Sequence, residues 1–373
     1  MFLCVLLALL VSDVYSFEVS ISQKLGVDNT SCLQPNGKLP CGSINYALRI
    51  LNDVDFGEET IFVFTIQDRH YDLQDHVQIL QPRGDRDIYI TSAANSSFTV
   101  IRCGNESSAA ITIGSRQTPD VLSTYNVHVS NIEFQQFTPS SVAVVMIWNS
   151  DNVSFTNCAF KDNDRSGLNA FDSGVTIEGC VFANNTSNLQ KLLDVDSHLT
   201  PSSMSVAGGA GFVFEYAVGL TLVVRDTNFT ANSATVNDSE NFIPLTSISL
   251  LPGLNLIGGG LLVAFMNMAR SCGALVEGAI FDRNEATFGG GLFYGSTQFA
   301  EGNSMEVRRS SFVRNIASQA GGAVSITVGG PSSENEFRVT HCVISDNWSR
   351  RGGGINVFLN ELHRDTHAIA DTI

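Results

Sequence analysis

"VSFTNCAFKDN" (residues 153–163) is followed 22 residues later by "VTIEGCVFANN" (175–185). The same frame fits "LVVRDTNFTAN" (222–232), "ALVEGAIFDRN" (274–284), "MEVRRSSFVRN" (305–315) and "FRVTHCVISDN" (337–347). An earlier copy, "VHVSNIEFQQF" (127–137), keeps Phe134 but has Phe137 where the others have Asn. In the six full copies Phe160, Phe182, Phe229, Phe281, Phe312 or Ile344 precedes, by three residues, Asn163, Asn185, Asn232, Asn284, Asn315 or Asn347. Apolar residues recur seven and five positions before the aromatic, and a small residue two before it. Steps of two are strand periodicity, because alternate side chains share a face. The step of three between the pairs needs a bend if both are to point inward. Each copy therefore reads as a short strand, a corner and another short strand.

Glycine clusters form the second half of the unit. They start at Gly208, Gly258, Gly289, Gly321 and Gly352, with spacings of 50, 31, 32 and 31. After them Val324, Ile326 and Val328 alternate, as do Ile355, Val357 and Leu359, which adds a third strand per turn. A unit of about 22 to 32 residues with several short strands and no amphipathic helix describes a parallel β-helix. One coil cannot bury its own apolar face, and stacking builds a continuous core. The expected fold is all-β, with Phe above Phe and the recurrent Asn forming an amide ladder at a corner. The glycines are expected to supply tight or positive-φ bends. Insertions at 186–207 and 233–257 are expected to leave the shaft as loops, where binding usually resides.

The alternation of GGA plus an aliphatic residue with FxxN resembles the repeats of bacterial polymorphic outer-membrane proteins. More broadly it resembles right-handed β-helix, pectin-lyase-like domains, over about residues 127–359. The resemblance implies a right-handed β-helix used for adhesion or surface display. Four of the five glycine sites depart from GGA followed by an aliphatic residue, and the chain carries N-glycosylation sequons. Near the N-terminus Ile44, Ala47, Leu48 and Leu51 fall at helical spacing behind Ser43, a candidate N-cap. This looks like the short helix that covers the open end of pectin-lyase-like domains.

The ends divide the chain further. Residues 2–11 are an apolar run, and Val14-Tyr15-Ser16 fits cleavage before Phe17, so residues 1–16 are expected to be a signal peptide. Residues 17–126 are then a cap and first coils, and 127–373 the repeat coils. The tail "NELHRDTHAIADTI" has no further FxxN, so the sequence is expected to stop before its natural end. An extracellular location follows, secreted or on the cell surface. Cys32 and Cys41, which bracket "LQPNGKLP", are candidate disulfide partners. Asn29, Asn95, Asn105, Asn152 and Asn237 are glycosylation candidates.

Across 373 residues the formal charge is −16, with 43% hydrophobic residues. That composition supports a large core and opposes nucleic acid or an anionic membrane surface as partner. Residues 245–269 carry no charge over a length that could span a bilayer, yet Pro252, Asn255, Asn267 and the in-phase glycines oppose a span. The glycines lack dinucleotide-loop spacing, and no helix follows them. For catalysis the best local cluster is Asp162, Asp164 and Arg165, with Asp172 further on, although acidic solvated corners are usual in a solenoid. His70, His76, His128, His198, His341, His363 and His367 are scattered without metal-ligand spacing. Cys158, Cys180 and Cys342 share one inward position and are expected to be buried thiols. The functional expectation is a structural, adhesive or recognition module without cofactor or enzymatic activity, whose partner is carbohydrate or an extracellular protein. The rivals are a polysaccharide lyase or glycoside hydrolase of the same fold, and the ectodomain of a longer membrane-anchored chain.

Overall fold

A computed structural model describes residues 15–28, 32, 39–53, 60–73, 75–79, 87–93, 98–103, 111–115, 123–138, 143–188, 206–235, 257–359 and 367–371. Among them the strands form four stacked sheets of eleven, nine, five and nine strands, plus one two-stranded pair. The chain is a right-handed parallel β-helix. In the order a coil visits them, the first sheet includes Thr221–Arg225, Gly273–Glu277, Ser304–Arg308 and Glu336–Thr340. The second holds Asn228–Thr230, Ile280–Asp282 and Ser311–Val313; the third, Ser233–Thr235, Glu285–Phe288 and Ile316–Ala320; the fourth, Ala210–Phe214, Leu261–Phe265, Leu292–Thr297 and Val324–Gly329.

The repeat maps onto this register residue for residue. Phe182 pairs with Phe229, Phe229 with Phe281 and Phe281 with Phe312. Their rings stack at centroid distances of 5.0, 4.9 and 4.5 Å with interplanar angles of 8°, 3° and 1°. Every step of three in the inward pattern contains one left-handed residue just before the inward one. Asn157, Gly179, Asp226, Gly278, Arg309 and His341 turn the chain between the first and second sheets. Asp162, Asn184, Ala231, Arg283, Arg314 and Asp346 do so immediately before the six asparagines. A single positive-φ residue redirects the chain and restores the inward face, which a continuous strand cannot do.

At the second corner the asparagines are joined amide to amide. Asn163 Nδ2 donates to Asn185 Oδ1 at 2.7 Å, Asn185 to Asn232 at 2.9 Å, and Asn232 to Asn284 at 3.0 Å. Asn284 donates to Asn315 and Asn315 to Asn347, both at 2.9 Å. Each Nδ2 also donates to the backbone of an earlier coil, as Asn284 does to Phe229 O at 2.8 Å. Buried amides are thereby satisfied, which is the condition for keeping polar groups inside.

Two expectations about the architecture need correction. The glycines are not all bends. Gly289 has a positive φ (58°), but Gly290 and Gly291 are required by close approach. A Cβ on Gly290 would lie 2.5 Å from both Gly322 O and Ile316 O, and one on Gly291 would lie 2.8 Å from Phe312 Cδ1. The insertions are also shorter than expected. Thr186–Asn188 and Ser233–Thr235 pair in the third sheet, and Val206–Ala207 pairs with Ile257–Gly258; residues 189–205 and 236–256 lie outside the described residues.

The N-terminal helix runs over Ile44–Asp53. Ser43 Oγ accepts the Tyr46 N–H at 3.1 Å, while Asp28 accepts both the backbone N–H (2.9 Å) and the hydroxyl (2.7 Å) of Ser43. Ile44, Ala47 and Leu48 are buried in the continuous core. Cys32 and Cys41 are joined by a disulfide with Cα atoms 5.0 Å apart. Tyr15 and Ser16 pair with Thr60 and Ile61 at the start of the first sheet. No helix among the described residues is long and apolar enough to cross a membrane.

Candidate functional site

Which outer face is open decides where a site can form. The middle of the fourth sheet is buried on both faces: Phe171, Val213, Leu262, Met266 and Phe293 build a second apolar cluster on its outside. There Trp148 and Phe171 stack at 4.2 Å. The first sheet differs. Its inward residues Leu222, Ala274, Met305 and Phe337 are core, whereas the alternating positions face outward.

Those outward positions line a groove of about 390 Å³. One row crosses the strands as Thr221, Gly273, Ser304 and Glu336, and the next as Val223, Leu275, Glu306 and Arg338. Small side chains at Gly273 and Ser304 open the depression, and Val223 and Leu275 give it an apolar floor. Glu306, Glu336 and Arg338 charge one end. Arg338 Nε sits 2.5 Å from Glu336 Oε1, and Arg308 Nη1 3.7 Å from Glu306 Oε1.

A third row runs alongside: Arg225, Glu277, Arg308 and Thr340. Glu277 accepts from Arg308 through both carboxylate oxygens (3.1 and 3.2 Å) and also meets Arg225 and Arg309. This bidentate pair fixes the wall beside the groove. On the other side, the corner from the fourth sheet presents Tyr216, Met268 and Phe299 at 55%, 52% and 64% exposure. Each lies five residues before the groove residue of its own coil, Thr221, Gly273 or Ser304. Exposed apolar side chains repeated over consecutive coils mark a contact surface more than isolated ones do.

The residues singled out from the sequence fall elsewhere. Asp162 is exposed at the second corner, where it accepts from Asn184 (3.0 Å) and Gln135 (3.3 Å). Asp164 is exposed and Arg165 is fully buried, its guanidinium carbon 6.0 Å from the Phe137 ring centroid. Burial pushes the Arg165 pKa down to about 10. Asp172 stands at the opposite corner, accepting the N–H groups of Glu215 (2.6 Å) and Tyr216 (3.1 Å). Burial raises its pKa, and those N–H groups oppose the rise. The four residues therefore do not form one site. Asn152 is exposed on the first sheet, while Asn29, Asn95, Asn105 and Asn237 lie outside the described residues. Cys158, Cys180, Cys272 and Cys342 are buried free thiols, and burial raises the pKa of Cys158, Cys272 and Cys342. No group of residues able to hold a metal occurs among the described residues.

Residues 84–246 match the family model described as a right handed beta helix region. The chain is similar to the GH136 lacto-N-biosidase from Eubacterium ramulus at 12% identity, over 96% of this chain and 67% of that one, with a TM-score of 0.36. It is similar to the catalytic domain of a GH87 alpha-1,3-glucanase in complex with nigerose at 13% identity, over 87% and 66%, with a TM-score of 0.25. A third likeness is to tailspike protein 3 of bacteriophage CBA120: 11% identity, 95% and 60% coverage, TM-score 0.20. No curated protein matches the chain. The expectation of a module without enzymatic activity is not upheld: two of these neighbours are glycoside hydrolases, which is said of them and not of this chain. At these identities the likeness is one of fold, and the function is argued from the groove.

Proposed function

We propose that this is an extracellular, carbohydrate-directed β-helix protein that seats an extended glycan in the groove of the first sheet. The observation that carries the reading is the groove's mixed surface on an open sheet face. Val223 and Leu275 suit the C–H face of a sugar ring, and Glu306, Glu336 and Arg338 offer acceptors and donors to its hydroxyls. Tyr216, Met268 and Phe299 supply apolar side chains along the same rim. The apolar N-terminal run and the Cys32–Cys41 disulfide support an oxidising, extracellular setting.

A second reading, glycoside hydrolysis, is favoured by the placement of two carboxylates. Glu306 and Glu336 are offset by one strand and two residues, so their Cβ atoms lie roughly 8 Å apart from standard strand dimensions. Glycosidases act with two carboxyl groups flanking the scissile bond, one as acid and the other as base or nucleophile.

A glycan array probed with the full chain tests the first reading. Binding that Leu275→Asp abolishes, with unfolding temperature unchanged, is the expected result; native protein that binds no glycan on the array ends the proposal. Release of reducing sugar by the native chain and its loss in Glu306→Gln and Glu336→Gln would establish hydrolysis. Equal release by both variants would remove the pair from the chemistry.

A further inference from the structure

The same face carries a second cluster, closer to the N-terminal end than the groove. His128 and Ser154 are cross-strand neighbours in register, and His128 Nδ1 lies 2.6 Å from Ser154 Oγ. Tyr89, in register on the other side of His128, stacks on the imidazole at 4.5 Å and 25°. Beside this row runs another, Asp87, Asn126 and Asn152. Asn152 Nδ2 donates to Asn126 Oδ1 at 2.6 Å, and Asn126 Nδ2 donates to Asp87 Oδ1. His128 and Ser154 are half-buried, so both are held in place while remaining open to solvent.

Three features give this arrangement chemical capacity. A serine hydroxyl in hydrogen-bond contact with an imidazole nitrogen is the geometry of an activated nucleophile. Burial lowers the His128 pKa, keeping the ring neutral and able to take a proton near pH 7, while Asp87 acts in the opposite direction and favours the imidazolium once formed. Asn152 lies two residues before Ser154 on the same face, and its amide has a second N–H beyond the one given to Asn126.

We propose that Ser154 and His128 form a nucleophile–base dyad that hydrolyses a small acyl ester. Ser154 Oγ bonds to the ester carbonyl carbon as its proton passes to His128 Nδ1, with Asn152 Nδ2 donating to the oxyanion. The carbonyl–alkoxy bond then breaks, and the imidazolium returns its proton to the departing alcohol, leaving the acyl group on Ser154. Water attacks that ester with His128 again as base, releasing the carboxylic acid and restoring the hydroxyl. Overall, ester and water give acid and alcohol. Ser154 is followed across the strands by Thr176 and then Val223, at the groove floor. If the glycan reading holds, and this part rests on it, the natural ester is an O-acyl substituent on a sugar lying along the face.

The full chain is treated with a fluorophosphonate probe and mapped by peptide mass, and 4-nitrophenyl acetate hydrolysis is measured in parallel. One adduct is expected, on Ser154. Ser154→Ala removes it and slows ester hydrolysis about 100-fold or more, and His128→Gln slows it comparably, as loss of a general base does. Native chain produced without N-glycosylation keeps the adduct and leaves both N–H groups of Asn152 in place, so the loss in Ser154→Ala reports the hydroxyl and not a missing glycan at the Asn152-Val153-Ser154 sequon. A native chain that takes no adduct, or a Ser154→Ala protein as active as native, overturns the dyad; the adduct test needs no variant to fold. Hydrolysis of 4-nitrophenyl acetate without acetate release from acetylated polysaccharides would keep the dyad and reject the glycan-borne substrate.

Discussion

The second and third sheets and the outer face of the first sheet obey different rules. Along the Phe stack and the Asn ladder every coil repeats its neighbour, because each residue's partner is its own counterpart one coil away. On the outer face of the first sheet the rows change identity from strand to strand, from Tyr89, His128 and Ser154 to Val223, Leu275, Glu306 and Arg338. Stacking constrains the inside to one answer and leaves the outside free. Repetition therefore marks what holds the solenoid together, and departure from repetition marks where chemistry can be placed.

The comparison breaks most sharply at Gly290. Gly290→Val drives a side chain into two backbone carbonyls of the next coil, a clash that flexible side chains cannot relieve. No folded protein is expected, and a soluble variant with the native unfolding temperature would refute the packing argument. Phe281→Ala, which empties the middle of the ring stack, should cost about 4 kcal/mol by denaturant unfolding. Asn284→Ala leaves the Asn232 N–H groups and Phe229 O without their partner, and should cost about 3 kcal/mol. On the outside the sign of the result changes: Glu306→Gln and Glu336→Gln should leave stability within about 0.5 kcal/mol while altering glycan binding or turnover. A large stability loss from either would make the groove structural.

The smallest effect concerns Asp172. Its folded-state pKa is raised, so its favourable contribution is present below the unfolded value near 4 and fades as pH rises through the folded value. Asp172→Asn does not titrate. The variant's melting temperature relative to native should therefore rise from pH 3 to pH 7, by a few degrees at most. An unchanged difference across that range would mean that the Glu215 and Tyr216 N–H groups fully offset burial.

Legibility follows the same division. FxxN and the glycine clusters disclose the coil because they recur, and the helix at Ile44–Asp53 is visible from its apolar spacing. The short third sheet is harder to see, since only four or five residues separate each regular Asn from its glycines. A second ladder was also hidden. Asn303 Nδ2 donates to Asn335 Oδ1 at 3.0 Å, and Asn303 Oδ1 accepts from Cys272 N at 2.9 Å. Two coils are too few to announce a period, although an Asn directly before Ser304 and Glu336 was its one signal. The groove carboxylates stay silent for the opposite reason: no local motif joins Glu306 to Glu336, and only strand register brings them to diagonal positions on adjacent strands. Asp162 and Asp172, closer in sequence, were drawn to opposite corners by the path of the coil.

The amide row has a consequence for how such a chain changes over generations. Asn284 and Asn315 are 31 residues apart and make equivalent contacts. Excising residues 285–315 would join Asn284 to Ile316, the residue that already follows a row member, so the seam would be chemically indistinguishable from its neighbours. Length is thus inherited in whole turns, and one duplication or loss moves every outward residue beyond it by one strand spacing. Gene rearrangement alone could then reset which side chains stand next to one another on the open face, without inventing a single new contact inside.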